Sequence, residues 1–156
     1  MMSTLTQTDP RHSKSMPAMI AKLLAERQEV LVLFNRLVQL KGSAAIAAIQ
    51  SLLQRFCQAL VDYVALGHFE VYQCLADNAG ETEHCRRIKR LARELYPRIA
   101  GTTQAAIDFS DCYAGRGQGL NNLYEDLSQL GERLATRIDL EDRLIKALRS
   151  PTAALA

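Results

Sequence analysis

Residues 56–72 read Phe56-Cys57-Gln58-Ala59-Leu60-Val61-Asp62-Tyr63-Val64-Ala65-Leu66-Gly67-His68-Phe69-Glu70-Val71-Tyr72. Leu60, Val64, His68, Val71 and Leu75 recur at steps of three and four, the spacing of one helix face rather than the alternation of a strand. His68 therefore lies toward a core, where an ionisable ring needs a hydrogen-bonding partner. A structural histidine satisfied inside a helical bundle is one reading of it; a functional position is the other. Gly67 is expected either to bend the helix or to let another element approach closely. Asp62 falls well round the helix from this seam and is expected to face solvent.

The same periodicity extends in both directions. Ile20, Leu23, Leu24, Val30, Leu31, Phe34, Leu37 and Val38 give a helix near 17–40, with Ser15 as its cap and Pro17 in its first turn. Lys41-Gly42-Ser43 supplies a stop and a new start. A second helix is expected over 44–76, a third over 83–113 and a fourth over 120–149. Pro97 falls inside the third pattern and should kink or break it just after Tyr96. Gly115-Arg116-Gly117-Gln118-Gly119 reads as the last loop. The expected architecture is all-α, an up-and-down four-helix bundle of long antiparallel helices spanning 16–150 as one domain. Residues 1–15 read as a disordered arm and 151–156 as a tail.

Composition agrees and excludes several classes. The 156 residues are 48% apolar, and β-branched residues never gather into alternating runs. No apolar run approaches the roughly 20 residues of a membrane span. No signal-peptide core is visible, and the four cysteines form no C-x-x-C pair, so a reduced cytoplasmic protein is expected. Cys57 and Cys74 read as small core hydrophobes.

Polar residues occupy positions where leucine is expected. Arg27 in the first helix, His68 in the second, and Arg137 and Glu141 in the fourth fall on or beside the core-facing seam. Buried charge survives only when paired, so these four should share an ionic, hydrogen-bonded cluster, with Glu141 the first choice as partner of His68. Other uses of the chain fare less well. His68-Phe69 in a helix is similar to hemerythrin-like di-iron bundles, but only three histidines are present and no Glu-x-x-His pair occurs, so no metal or cofactor is expected. No Gly-rich phosphate loop or nucleophile–histidine motif suggests an enzyme. Arg86, Arg87, Lys89, Arg90, Arg93 and Arg98 make the third helix basic, and the fourth is acidic. The two are expected to neutralise each other across the bundle, and without interleaved aromatics no direct DNA binding is expected.

Residues 62–72 also match D-Y-x-x-x-G-H-F-x-x-Y, and in this the chain resembles the Rsd/AlgQ family of bacterial anti-sigma factors. Glu26-Arg27-Gln28-Glu29-Val30-Leu31-Val32 resembles that family's E-R-Q-E-L-L-V, and Leu95-Tyr96-Pro97-Arg98 its I/L-Y-P-R/Q. Arg137-Ile138-Asp139-Leu140-Glu141-Asp142-Arg143-Leu144-Ile145 resembles its closing R-F-x-L-E-D-x-L-I. Each block alone is weak; four in order are specific. The resemblance implies a protein that binds region 4 of the primary sigma factor of RNA polymerase, sequesters it and favours alternative sigma factors. It implies binding without chemistry, around the signature helix: Asp62, in the motif and turned away from the seam, is the leading partner-binding residue, and Tyr63, Phe69 and Tyr72 either add apolar contact to the partner or pack inside. The chain is expected to be a monomer or weak homodimer.

Overall fold

The computed structural model describes residues 16–42, 45–66, 83–115 and 119–149. They form four helices: α1 (Met16–Gln39), α2 (Ile46–Leu66), α3 (Glu83–Tyr113) and α4 (Leu123–Leu148). No strand occurs among the described residues. The expected continuation of the second helix to residue 76, with Gly67 and His68, lies outside them.

Each helix buries the stripe its sequence carries. In α4, Leu123, Leu127, Leu130, Leu134, Arg137, Glu141 and Leu144 alternate steps of four and three, a heptad seam, and all seven are buried. In α1 the buried series Met19, Ile20, Leu23, Val30, Leu33 and Leu37 has a gap where Arg27 sits. Phe56 of α2 joins the helices at mid-height. Its ring centroid lies 6.1 Å from Phe34 of α1 and 5.8 Å, edge-on, from Phe109 of α3. Burying each large apolar side chain contributes about 1.5–3 kcal/mol, and stripes of this kind hold the helices together far more than propensity does.

Contacts at matched heights give the directions. Along α4, Tyr124 reaches Leu37 of α1, Gly131 faces Phe34, and Glu141 and Asp142 meet Arg27, so α1 and α4 are antiparallel. Asp126 meets Tyr113 while Arg137 meets Ile99, Thr102 and Thr103, so α3 and α4 are antiparallel too. The arrangement is up-down-up-down.

Local chemistry sets the ends. After α1, Lys41 N–H donates to Val38 O at 3.2 Å, and Gly42 takes φ 75°, a left-handed conformation that glycine adopts without strain. The fourth helix begins at Leu123 rather than 120, because residues 120–122 close a turn in which Leu123 N–H donates to Leu120 O at 3.1 Å. Glu125 and Asp126 then complement the helix dipole.

Of the kink or break expected at Pro97, the break does not occur: the proline stands inside a continuous α3. A proline frees the carbonyl four residues back, here that of Arg93, and both residues are exposed, so water can satisfy that carbonyl. Leu95 and Ile99 on either side stay anchored in the core.

Candidate functional site

The end of α2 is held by a buried polar network that touches all four helices. Arg137 is fully buried. Its Nε donates to Glu141 Oε2 at 2.9 Å, and its Nη1 donates to Thr102 Oγ1 at 3.0 Å and Thr103 Oγ1 at 2.7 Å. Both threonine hydroxyls donate in turn to Ile99 O, at 2.6 and 3.2 Å. The guanidinium carbon stands 5.2 Å from the centroid of the Tyr63 ring, a cation–π contact in a dry setting. Glu141 Oε1 accepts from the Tyr63 hydroxyl of α2 and, at 3.3 Å, from Arg27 Nη1 of α1. Arg27 Nη1 also donates to Asp142 Oδ1 at 2.9 Å. Two guanidiniums and two carboxylates balance, and the donors and acceptors interlock.

The titrations follow from this setting. Burial pushes the Tyr63 hydroxyl well above the ordinary tyrosine value, and adjacent Glu141 pushes the same way. Burial opposes the charge on Arg27, but Asp142 and Glu141 outweigh it and hold its pKa up.

Arg27, Arg137 and Glu141 are thus brought together. Tyr63, for which the sequence leaves both partner contact and packing open, joins them inside. It is 0% exposed, and its hydroxyl and ring are both committed inside. Asp62, one position earlier, is exposed, and its Oδ1 accepts from Gln58 Nε2 at 3.0 Å on the same helix. His68, Phe69 and Tyr72 lie outside the described residues, and with them the expected Glu141–His68 bond. Sequence reasoning missed Thr102, Thr103 and Asp142. Thr102 had a signal: it continues the Leu95–Ile99–Ala106 stripe, so its hydroxyl had to face the core.

Charge on α3 and α4 is segregated by height, not neutralised across the pair. The antiparallel arrangement sets Arg86, Arg87, Lys89, Arg90, Arg93 and Arg98, against Glu83 and Glu94, beside the half of α4 that carries Arg137, Arg143, Lys146 and Arg149 against Asp139, Glu141 and Asp142, so this half is basic on balance. The other halves carry Asp108, Asp111, Glu125, Asp126 and Glu132 against Arg133. Among the described residues no group of His, Cys, Asp and Glu could hold a metal ion, and no helix is long and apolar enough to cross a membrane.

Comparison with known proteins places these features. Residues 1–149 match the family described as "Regulator of RNA polymerase sigma(70) subunit, Rsd/AlgQ". A "Regulator of sigma D" from Pectobacterium atrosepticum is 31% identical over 134 residues, 83% of this chain and 86% of that protein. Proteins of the same name from Enterobacter sp. (strain 638) and Escherichia coli K12 are 32% and 30% identical, over 81% of this chain and 78% and 81% of theirs. No solved structure matches.

Proposed function

The chain belongs to the Rsd/AlgQ family of regulators of the sigma(70) subunit of RNA polymerase, and from that premise we propose that it acts by binding region 4 of the primary sigma factor through the exposed face of α2 that carries Asp62. The protein regulates transcription by occupying its partner; its relatives are named as regulators, not enzymes. Region 4 reads promoter DNA with a basic helix-turn-helix, so carboxylates on an inhibitor can take the place of phosphates. Occupied in this way, the primary sigma factor is withdrawn from the cytoplasmic polymerase and alternative sigma factors gain access to it.

One observation supports this placement most. Asp62 is exposed, while its neighbour Tyr63 is wholly buried and bonded to Glu141. The carboxylate therefore stands on a backbone fixed from below by the Arg137 network, and binding need not order it. Preorganisation of that kind raises affinity by cutting the entropy lost on association. Phe69 and Tyr72, seven and ten positions after Asp62 along the chain, are assigned apolar contact with the partner.

Calorimetric titration of the full chain with a region 4 fragment tests the proposal. Binding that weakens as salt rises is expected, because basic groups on the fragment meet carboxylates here. No heat of binding at low salt would reject it.

A further inference from the structure

We propose that the outer face of α3 is a self-complementary surface through which two copies of this chain pair, antiparallel, about a twofold axis. The face is set by helix geometry. Arg90, Pro97, Gly101 and Asp108 are all exposed and fall within about 40° of one another around the helix. Ile88, Leu95, Ile99 and Ala106 occupy the opposite, buried side.

Gly101 is the odd member of this face. It stands in the interior of a long helix, where glycine is a poor helix former. A methyl group added there would meet nothing within 4 Å among the described residues, so none of them requires its absence. What a glycine does allow on such a face is the close approach of a second helix, since interaxial distance depends on the side chains at the contact.

The charges are arranged for a copy of the same helix. With a twofold axis level with Ile99, Pro97 of one copy meets Gly101 of the other, each two positions from the axis. Arg90 then meets Asp108 of the second copy, each nine positions from the axis, and symmetry makes this ion pair twice. Both pairs sit about 13 Å from the axis, within side-chain reach if the helices cross near 20°. A parallel pairing would set Arg90 against Arg90, so charge selects the antiparallel one. Among the described residues Arg90 has no ion-pair partner. Asp108 accepts from Gln104 Nε2 at 2.8 Å, which orients the carboxylate and leaves lone pairs for a guanidinium. The wider segregation of charge by height adds to this, because an antiparallel partner brings the basic half of one α3 over the acidic half of the other. One helix pair is a small interface, so the dimer is weak, with a Kd in the range of about 10–1,000 μM.

Sedimentation equilibrium of the full chain at low salt, up to about millimolar concentration, reads the dimer directly. Arg90→Asp and Asp108→Arg should each weaken it by about tenfold or more, and Gly101→Leu should abolish it by holding the helices apart. The combined Arg90→Asp/Asp108→Arg variant re-forms both ion pairs with reversed sign and should return to within about threefold of the wild-type Kd. Far-ultraviolet circular dichroism confirms that each variant is folded. A wild-type chain that stays monomeric throughout overturns the proposal, as does a combined variant no better than the single ones. A monomeric wild type that binds a uridylate 20-mer through this face would assign the surface to nucleic acid instead, and that too overturns it.

Discussion

Arg137 and Glu141 stand one turn apart on α4 and are joined Nε to Oε2 at 2.9 Å, in two consecutive seam positions that leucine would ordinarily fill. The arginine side chain is 0% exposed and the glutamate 6%. Desolvating such a pair costs several kcal/mol, and the Coulomb gain offsets that only when the remaining hydrogen-bonding capacity is also met. Here Thr102, Thr103, Tyr63 and Arg27 meet it. The network joins all four helices at one height.

Removing one partner should therefore cost more than removing both. Glu141→Ala leaves Arg137 charged and unpaired in the core, a loss of about 3–5 kcal/mol. Arg137→Leu/Glu141→Leu should be destabilised by less than the sum of the single changes. Urea denaturation gives the three values, and additivity would contradict the shared network.

Tyr63→Phe keeps the ring against Arg137 and removes only the hydroxyl that Glu141 accepts from. The expected loss is about 1–3 kcal/mol, because a buried carboxylate is left short of a donor. A change below about 0.5 kcal/mol in the urea midpoint analysis would show that the bond contributes nothing net.

Stability should decline on the alkaline side. Burial raises the Cys57 thiol from an ordinary value near 9 to about 11, and burial also raises Tyr63, Tyr113 and Tyr124 above the usual 10. A raised pKa means that the folded state keeps its proton while the unfolded state loses it, so the stabilisation is full below pH 9 and falls above it. Urea midpoints from pH 8 to 11 should fall, and Cys57→Ala should flatten the slope between 9 and 11. A midpoint independent of pH would contradict the account.

Two helical glycines should respond in opposite ways. At Gly131 an added Cβ would lie 2.9 Å from Cζ of Phe34, so the α1–α4 contact depends on its absence. Gly131→Leu should cost about 1–3 kcal/mol, whereas Gly101→Ala should gain about 0.5–1 kcal/mol in the monomer. Thermal melts at low protein concentration distinguish the two.

The fold was legible because every helix carries its own stripe, and Arg137 and Glu141 were conspicuous as polar residues in a heptad series. Tyr63 stayed open between partner contact and packing. In the motif it stands beside Asp62, but one position along a helix is a rotation of about 100°, enough to take one side chain outside and the other into the core. At Pro97 the sequence leaves a kink and a break both open, because a proline's cost falls on a neighbouring carbonyl, and whether that carbonyl meets water depends on the face it occupies. Opposite net charges on α3 and α4 suggested neutralisation, but net charge over a whole helix hides its distribution along the axis, and antiparallel pairing sets the basic half of α3 against the C-terminal half of α4.

The central claim rests on Asp62. Its side chain is exposed, and its bond to Gln58 is a surface contact one turn away, so Asp62→Ala should leave stability within about 0.5 kcal/mol of wild type. The decisive measurement is the Kd of region 4 of the primary sigma factor for wild-type and Asp62→Ala chains, both verified as folded. A charge-assisted contact desolvated on binding is worth about 1.5–3 kcal/mol, so the variant should bind roughly ten- to a hundredfold more weakly. Equal affinity of the two chains would contradict the account.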